Sequence, residues 1–147
     1  FKLVPDFATG GLMDASEYQA GKRGGRIKVR ARIEVEDKKN IGMRAEADLL
    51  GRTIPSGAKI ITLDERGKLL SSPKFSQCLA NFRDQGQGHL AFVIGGADGI
   101  DPSLRARADM SISFGSMVWP HMLVRVMLSE QLYRAASILA GSPYHRA

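Results

Sequence analysis

Hydrophobic and polar positions change period along the chain, and each period predicts an element. From Ile27 to Val35 they alternate, with Ile27, Val29, Ala31, Ile33 and Val35 on one face and Lys28, Arg30, Arg32 and Glu34 on the other. Period two predicts a half-buried strand with a basic outer face. Before it, Leu12 to Ala20 predicts a short helix whose end is loosened by Gly21, Gly24 and Gly25. Met43 to Leu50, rich in Ala, Glu and Leu, predicts a helix that stops near Gly51.

The remainder alternates strand and helix. Ala58 to Leu63 predicts a strand, followed by a turn at Asp64-Glu-Arg-Gly67. Ser72-Pro73 opens a helix that runs to about Asp84, with Ser72 at its cap and proline in its first turn. Leu90 to Ile94 is a continuous apolar run, as expected of a parallel strand covered on both faces. Pro102 to Ala108 predicts a short helix, Met110 to Phe114 a strand, and His121 to Ala140 a long helix. In that last helix Val124, Leu128, Leu132, Ala135 and Leu139 share one face, and Gly141 and Pro143 end it. Such alternation predicts an α/β fold with a mostly parallel sheet flanked by helices. With no internal repeat or linker, residues 1–147 are expected to form one domain.

Composition narrows the class. The longest apolar runs fall far short of the roughly 20 residues of a membrane span, so no membrane partner is expected. A lone cysteine, Cys78, has no internal disulfide partner, and a cytoplasmic location is the expectation. The net charge of +6 favours a polyanionic partner. Lys22, Arg23, Arg26, Lys28, Arg30 and Arg32 fall in an acid-free stretch that suits phosphate neutralisation or, equally, a solvated edge.

Ligands of open α/β sheets bind beyond the carboxyl ends of the strands. Three such ends carry unusual loops, at Leu63-Asp64-Glu65, Ile94-Gly95-Gly96 and Phe114-Gly115-Ser116-Met117. Taken singly, each is also compatible with an ordinary turn. Neither GxGxxG nor a P-loop is present, so a dinucleotide or ATP site has no support. His89, His121 and His145 lack metal-ligand spacing, no metal is expected, and no GxSxG elbow anchors a hydrolase. Tyr144-His145-Arg146 combines stacking, proton transfer and phosphate pairing, although a polar chain end ordinarily frays.

Taken together and in order, Ile94-Gly-Gly-Ala-Asp-Gly99, Trp119-Pro-His-Met-Leu-Val-Arg-Val126, Glu130-Gln-Leu-Tyr-Arg-Ala135 and Pro143-Tyr-His-Arg146 resemble the RlmH family of SPOUT methyltransferases. The likeness is strong from Ala58 onward and fainter from Arg32 to Gly57. Phe1 to Gly11 departs from the family's usual opening strand and Val-Gly-Lys-like turn. The resemblance implies a C-terminal trefoil knot, a homodimer and S-adenosyl-L-methionine as cofactor. It also implies methylation of N3 of a pseudouridine in large-subunit (23S) ribosomal RNA, with the assembled ribosome as the favoured substrate. Carried over, the cofactor site comprises Leu63, Gly95, Gly96, Gly115, Ser116, Met117, Val118, Trp119 and Pro120. Tyr144, His145 and Arg146 form the catalytic, RNA-facing end, with His145 a candidate proton acceptor and Arg146 a phosphate or charge partner. His121 and Arg125 match the family as well, as capping, dimer-packing or site residues. Glu130 and Arg134 are spaced to pair on one helix, and Trp119 suits either packing or base stacking. Another RNA substrate, such as transfer RNA, and a non-catalytic ribosome-associated protein stay open as alternatives.

Overall fold

A computed structural model describes residues 13–14, 28–31, 43–95 and 99–146. Its elements are β1 (Met13–Asp14), β2 (Lys28–Ala31), α1 (Met43–Thr53), β3 (Lys59–Leu69), α2 (Ser72–Asp84), β4 (His89–Ile94), α3 (Pro102–Ala106), β5 (Met110–Ser113) and α4 (His121–Leu139). The strands form one sheet in the order β1-β2-β4-β3-β5. β2, β4, β3 and β5 run parallel, and β1 is antiparallel to β2. The α/β class and the mostly parallel sheet agree with the hydrophobic pattern.

Each strand face supplies a separate core. Ile61, Leu63, Leu90, Phe92 and Ile112 pack with α2 and α4 through Phe75, Leu79, Leu128 and Ala135. On the other face Ile60 and Val93 meet α1 and α3 through Ala47, Ile100 and Leu104. The alternation of Ile60 and Ile61 between these cores is the period-two rule of a strand buried on both sides. Ser76 Oγ donates to the Ala135 carbonyl at 3.2 Å, joining α2 to α4 inside the first core.

Four local expectations require correction. Met13–Asp14, placed in a helix by the pattern, pair instead with Ala31 and Arg30, so tertiary pairing overrides local propensity there. The rest of that helix, and the ends of the strand expected over 27–35, lie outside the described residues. Asp64-Glu-Arg-Gly67 is not a terminating turn. Leu63 and Lys68 both pair with Ile112, so these four residues bulge out of β3 and the ladder then resumes. Gly67 makes the return possible, since a Cβ there would lie 2.5 Å from the Ile112 carbonyl carbon. The cap of α2 is Ser71, not Ser72: its side chain accepts from the Lys74 amide at 3.4 Å. Finally, α1 passes Gly51 and ends at Thr53, whose hydroxyl donates to the Leu50 carbonyl, just before Pro55.

Topology fixes where a ligand can enter. β3 connects through α2 on one face to its neighbour β4, whereas β4 returns through α3 on the opposite face to β5, beyond β3. Adjacent strands whose connections leave on opposite faces open a crevice at their carboxyl ends.

The other end of β3 is clamped by Asp109. Its carboxylate accepts from Lys59 Nζ at 2.7 Å and from the Ile60 amide at 2.9 Å, and its own amide donates to the Ile60 carbonyl. The side-chain bond from Lys59, then the backbone bond from Ile60, hold the Asp109 carboxyl below the usual carboxylate range. The folded chain therefore binds this proton more weakly than the unfolded chain. Its contribution is complete above the unfolded value and disappears as pH falls through the folded one. Asp101, lowered first by the Ser103 hydroxyl, adds in the same direction. In acid titrations followed by circular dichroism, Asp109→Asn should lose stability less steeply than the wild type below about pH 4. Equal slopes would mean that the clamp adds nothing.

Candidate functional site

The crevice is a cavity of about 590 Å³ at the carboxyl ends of β3, β4 and β5. Leu63, Ile94, Ile112 and Val124 contribute its apolar surface, and the segment from Met117 to His121 covers one side. Ser113 holds the start of this segment, since its hydroxyl donates to the Gly115 carbonyl at 2.7 Å and accepts from the Gly115 amide at 3.1 Å. Gly95 brings the end of β4 against the next turn. A Cβ there would meet the Gly99 carbonyl carbon at 2.5 Å and Ile100 Cγ1 at 2.9 Å.

Most residues expected at a cofactor site meet here. Leu63, Gly95, Gly115, Met117, Val118, Trp119 and Pro120 all line the cavity. Ser116 is exposed and does not line it, and Gly96 lies outside the described residues. His121, for which a purely structural part was left open, also borders the cavity, whereas Arg125 does not and instead approaches Met122 Sδ at 3.2 Å.

Sequence patterning missed the polar element of the wall, Asp64 with Arg105. The Asp64 side chain is only 5% exposed, and its Oδ2 accepts from Arg105 Nη2 at 2.8 Å. Oδ1 accepts from the Arg66 amide at 2.9 Å, and Arg105 Nη2 also reaches the Ile100 carbonyl at 3.2 Å. The pair thus ties the bulge of β3 to the turn that follows β4 and keeps a buried carboxylate compensated. Only the folded topology could reveal it, because the two residues lie on different elements with β4 between them in sequence.

Tyr144, His145 and Arg146 do not line this cavity. Tyr144 and His145 pack against the far half of α4, and Arg146 is exposed. The Tyr144 hydroxyl donates to Glu130 Oε1 at 3.3 Å, and its ring meets Tyr133 edge-on at 4.7 Å. Arg134 pairs with Glu130, stands 4.9 Å from the Tyr144 ring centroid and lies 3.3 Å from His145 Nδ1. Glu130 and Arg134 therefore do pair along the helix, and together they tether the chain end that composition alone would leave fraying. Ten residues of α4 separate Val124 in the cavity from Arg134, about 15 Å along the helix axis.

Among the described residues no three His, Cys, Asp or Glu side chains gather to hold a metal, and no helix is long and apolar enough to cross a membrane. A parallel sheet with a glycine-shaped cavity at its switch point defines an α/β protein whose cavity suits a small ligand met by backbone groups and apolar walls. A family model described as "Predicted SPOUT methyltransferase" matches residues 16–145, and the chain belongs to this family. It is 73% identical over 114 residues to a protein of Ruegeria sp. named "Ribosomal RNA large subunit methyltransferase H", covering 78% of this chain and 73% of that one. Proteins of the same name from Ruegeria pomeroyi and Roseobacter denitrificans are 74% and 72% identical, with the same coverage.

Proposed function

We propose that this chain is an S-adenosyl-L-methionine-dependent methyltransferase of large-subunit ribosomal RNA. Within that reading it acts on N3 of a pseudouridine in 23S RNA, in the assembled ribosome, as a cytoplasmic homodimer. The observation that carries the proposal is the convergence of three strand-end segments, two of them bearing glycines, on one cavity at the switch point, in a chain so similar to named ribosomal RNA methyltransferases. The C-terminal knot and the single catalytic domain over residues 1–147 belong to the same proposal.

The cavity fits the cofactor. Its volume lies within the roughly 300–1,000 Å³ usual for small-molecule sites. Apolar side chains such as Leu63, Ile94 and Val124 and the glycines Gly95 and Gly115 share its walls, which suits an adenosine with a polar edge. When bound, the cofactor supplies a methyl group made electrophilic by a positive sulfonium. Leu63, Gly95, Gly115 and Met117 to Pro120 would hold it, with Met117 and Leu63 as apolar walls. The role of the chain's own residues is then chiefly positional: they aim one ligand at another and exclude water. Tyr144, His145 and Arg146 act at the RNA end of the site.

One subunit alone keeps that tail away from the cavity, and α4 explains how a second would help. Its inward stripe is Val124, Leu128, Leu132 and Ala135. On the opposite side Met122, Val126 and Tyr133 form a second apolar stripe that stays exposed. A copy of this chain seated on that stripe would bury it and set the tail of one subunit beside the cavity of the other. Two basic surfaces would also grip RNA more firmly than one.

The test is transfer of a labelled methyl from S-adenosyl-L-methionine to ribosomes lacking the mark, with free ribosomal RNA and transfer RNA in parallel. Label at a large-subunit pseudouridine is the expected result. Label on transfer RNA alone, or none despite cofactor binding, would overturn it.

A further inference from the structure

The geometry around His145 bears on where the proton of the target nitrogen goes, a question that rests on the reading above. A guanidinium has five N–H donors and no acceptor. Arg134 cannot become an acceptor by losing its proton, because bonding to Glu130 raises its pKa further still. An atom 3.3 Å from Arg134 Nη1 in a hydrogen-bonding contact must therefore offer a lone pair, and that atom is Nδ1 of His145. A neutral imidazole carries one N–H and one lone pair. With the lone pair on Nδ1, the proton sits on Nε2, at the opposite side of the ring from Arg134.

The arrangement is held from several directions. Arg134 is oriented by Glu130 through Nε at 2.9 Å and through a second, shorter bond from Nη2. Glu130 Oε1 also accepts from Tyr144, the residue immediately before His145. Tyr144 is in turn packed against Tyr133 and beneath the guanidinium. His145 is half-buried, and Arg134 meets its ring at Nδ1.

We propose that Arg134 is a positioning residue that fixes His145 as a neutral imidazole protonated on Nε2. His145 then serves the reaction as a hydrogen-bond donor to a carbonyl oxygen of the target base, where negative charge collects once N3 is deprotonated. The N3 proton leaves to solvent water instead of passing to His145. This replaces the proton-acceptor role that the sequence suggested for the same residue. A preorganised donor aimed at developing charge accelerates a reaction without taking a proton itself.

Two measurements on the full chain decide the matter. Two-bond proton–nitrogen spectra of histidine-labelled protein should show His145 protonated on Nε2 and bare on Nδ1, with this preference weakened in Arg134→Ala. A His145 protonated on Nδ1 in the wild type would overturn the proposal. In methyl-transfer assays His145→Ala should lose about 10²–10³-fold in turnover, the usual cost of removing one preorganised donor, with cofactor affinity little changed. His145→Gln keeps an N–H near the Nε2 position but cannot accept the proton, and should recover to within about tenfold of wild type. If His145→Gln is as slow as His145→Ala, the donor role is wrong. Wild-type protein that methylates no ribosomal substrate would count against the functional reading alone, because the nitrogen spectra test the His145 arrangement without any turnover.

Discussion

Val126→Glu is expected to break the proposed homodimer into folded monomers that transfer no methyl group. Val126 is 52% exposed on α4, in line with Met122 at 57%, and both stand opposite the stripe that faces the core. A surface helix ordinarily presents one apolar face; α4 presents two. Contiguous exposed apolar surface of this kind marks an interaction site. In a two-fold dimer the same residue appears on both sides of the interface, so each substitution is counted twice. Losing a buried valine and desolvating a carboxylate costs about 2–3 kcal/mol per copy at the least. Doubled, this weakens dimerisation by about 10³-fold or more. Sedimentation analysis should report a monomer with unchanged far-ultraviolet dichroism, since Val126 supports neither core. Methyl transfer should vanish with the dimer, because the tail of a single chain stays away from its own cavity. A variant that remains dimeric and active would remove this face of α4 from the interface.

Gly95→Ala should weaken S-adenosyl-L-methionine binding by about 10–100-fold, as judged by calorimetry. The added methyl would stand 2.5 Å from the Gly99 carbonyl carbon and 2.6 Å from its oxygen. These are backbone atoms, so no rotamer change relieves the contact. Relief requires the Gly99–Ile100 turn to move, yet Ile100 is buried in the second core and its carbonyl accepts from Arg105. The strain therefore falls on the cavity wall itself. Overpacking of this kind typically costs about 1–3 kcal/mol. Gly88→Ala provides the control: nothing lies within 4 Å of a Cβ at that position, and affinity should not change. Wild-type affinity in Gly95→Ala would show that this wall plays no part in holding the cofactor.

Local rules made much of the architecture legible. The uninterrupted run Leu90 to Ile94 announced a strand covered on both faces, and β4 lies between α2 and α4 on one side and α1 and α3 on the other. The spacing of Val124, Leu128, Leu132, Ala135 and Leu139 announced the inward face of α4, and the first four of these pack in the first core, while Leu139 is half-buried beyond it. The loops after the strands were readable as ligand-binding candidates because glycine and strand ends are local signals. Family likeness then attached a chemistry to them.

What stayed hidden depends on contacts between residues far apart in the chain. Asp64 to Gly67 looked like a turn because the run is polar and ends in glycine. That glycine in fact allows β3 to approach Ile112 again, more than forty residues later by sequence number. Arg105 carried no signal in a short helix, yet it compensates a buried carboxylate at the cavity. The spacing turned Val124 inward, but nothing in the sequence told whether Met122 and Val126, on the opposite side, would be covered by another element or left exposed. Tyr144-His145-Arg146 was legible as chemistry, but its tethering by Glu130 and Arg134, and its distance from the cavity, were not. Periodicity, caps and turn residues act within a few positions, so the sequence by itself determined the elements and their inward faces. Which loops share a wall, which charges meet and which apolar stripe is left over follow from the order in which strands cross, and only the tertiary structure decided those.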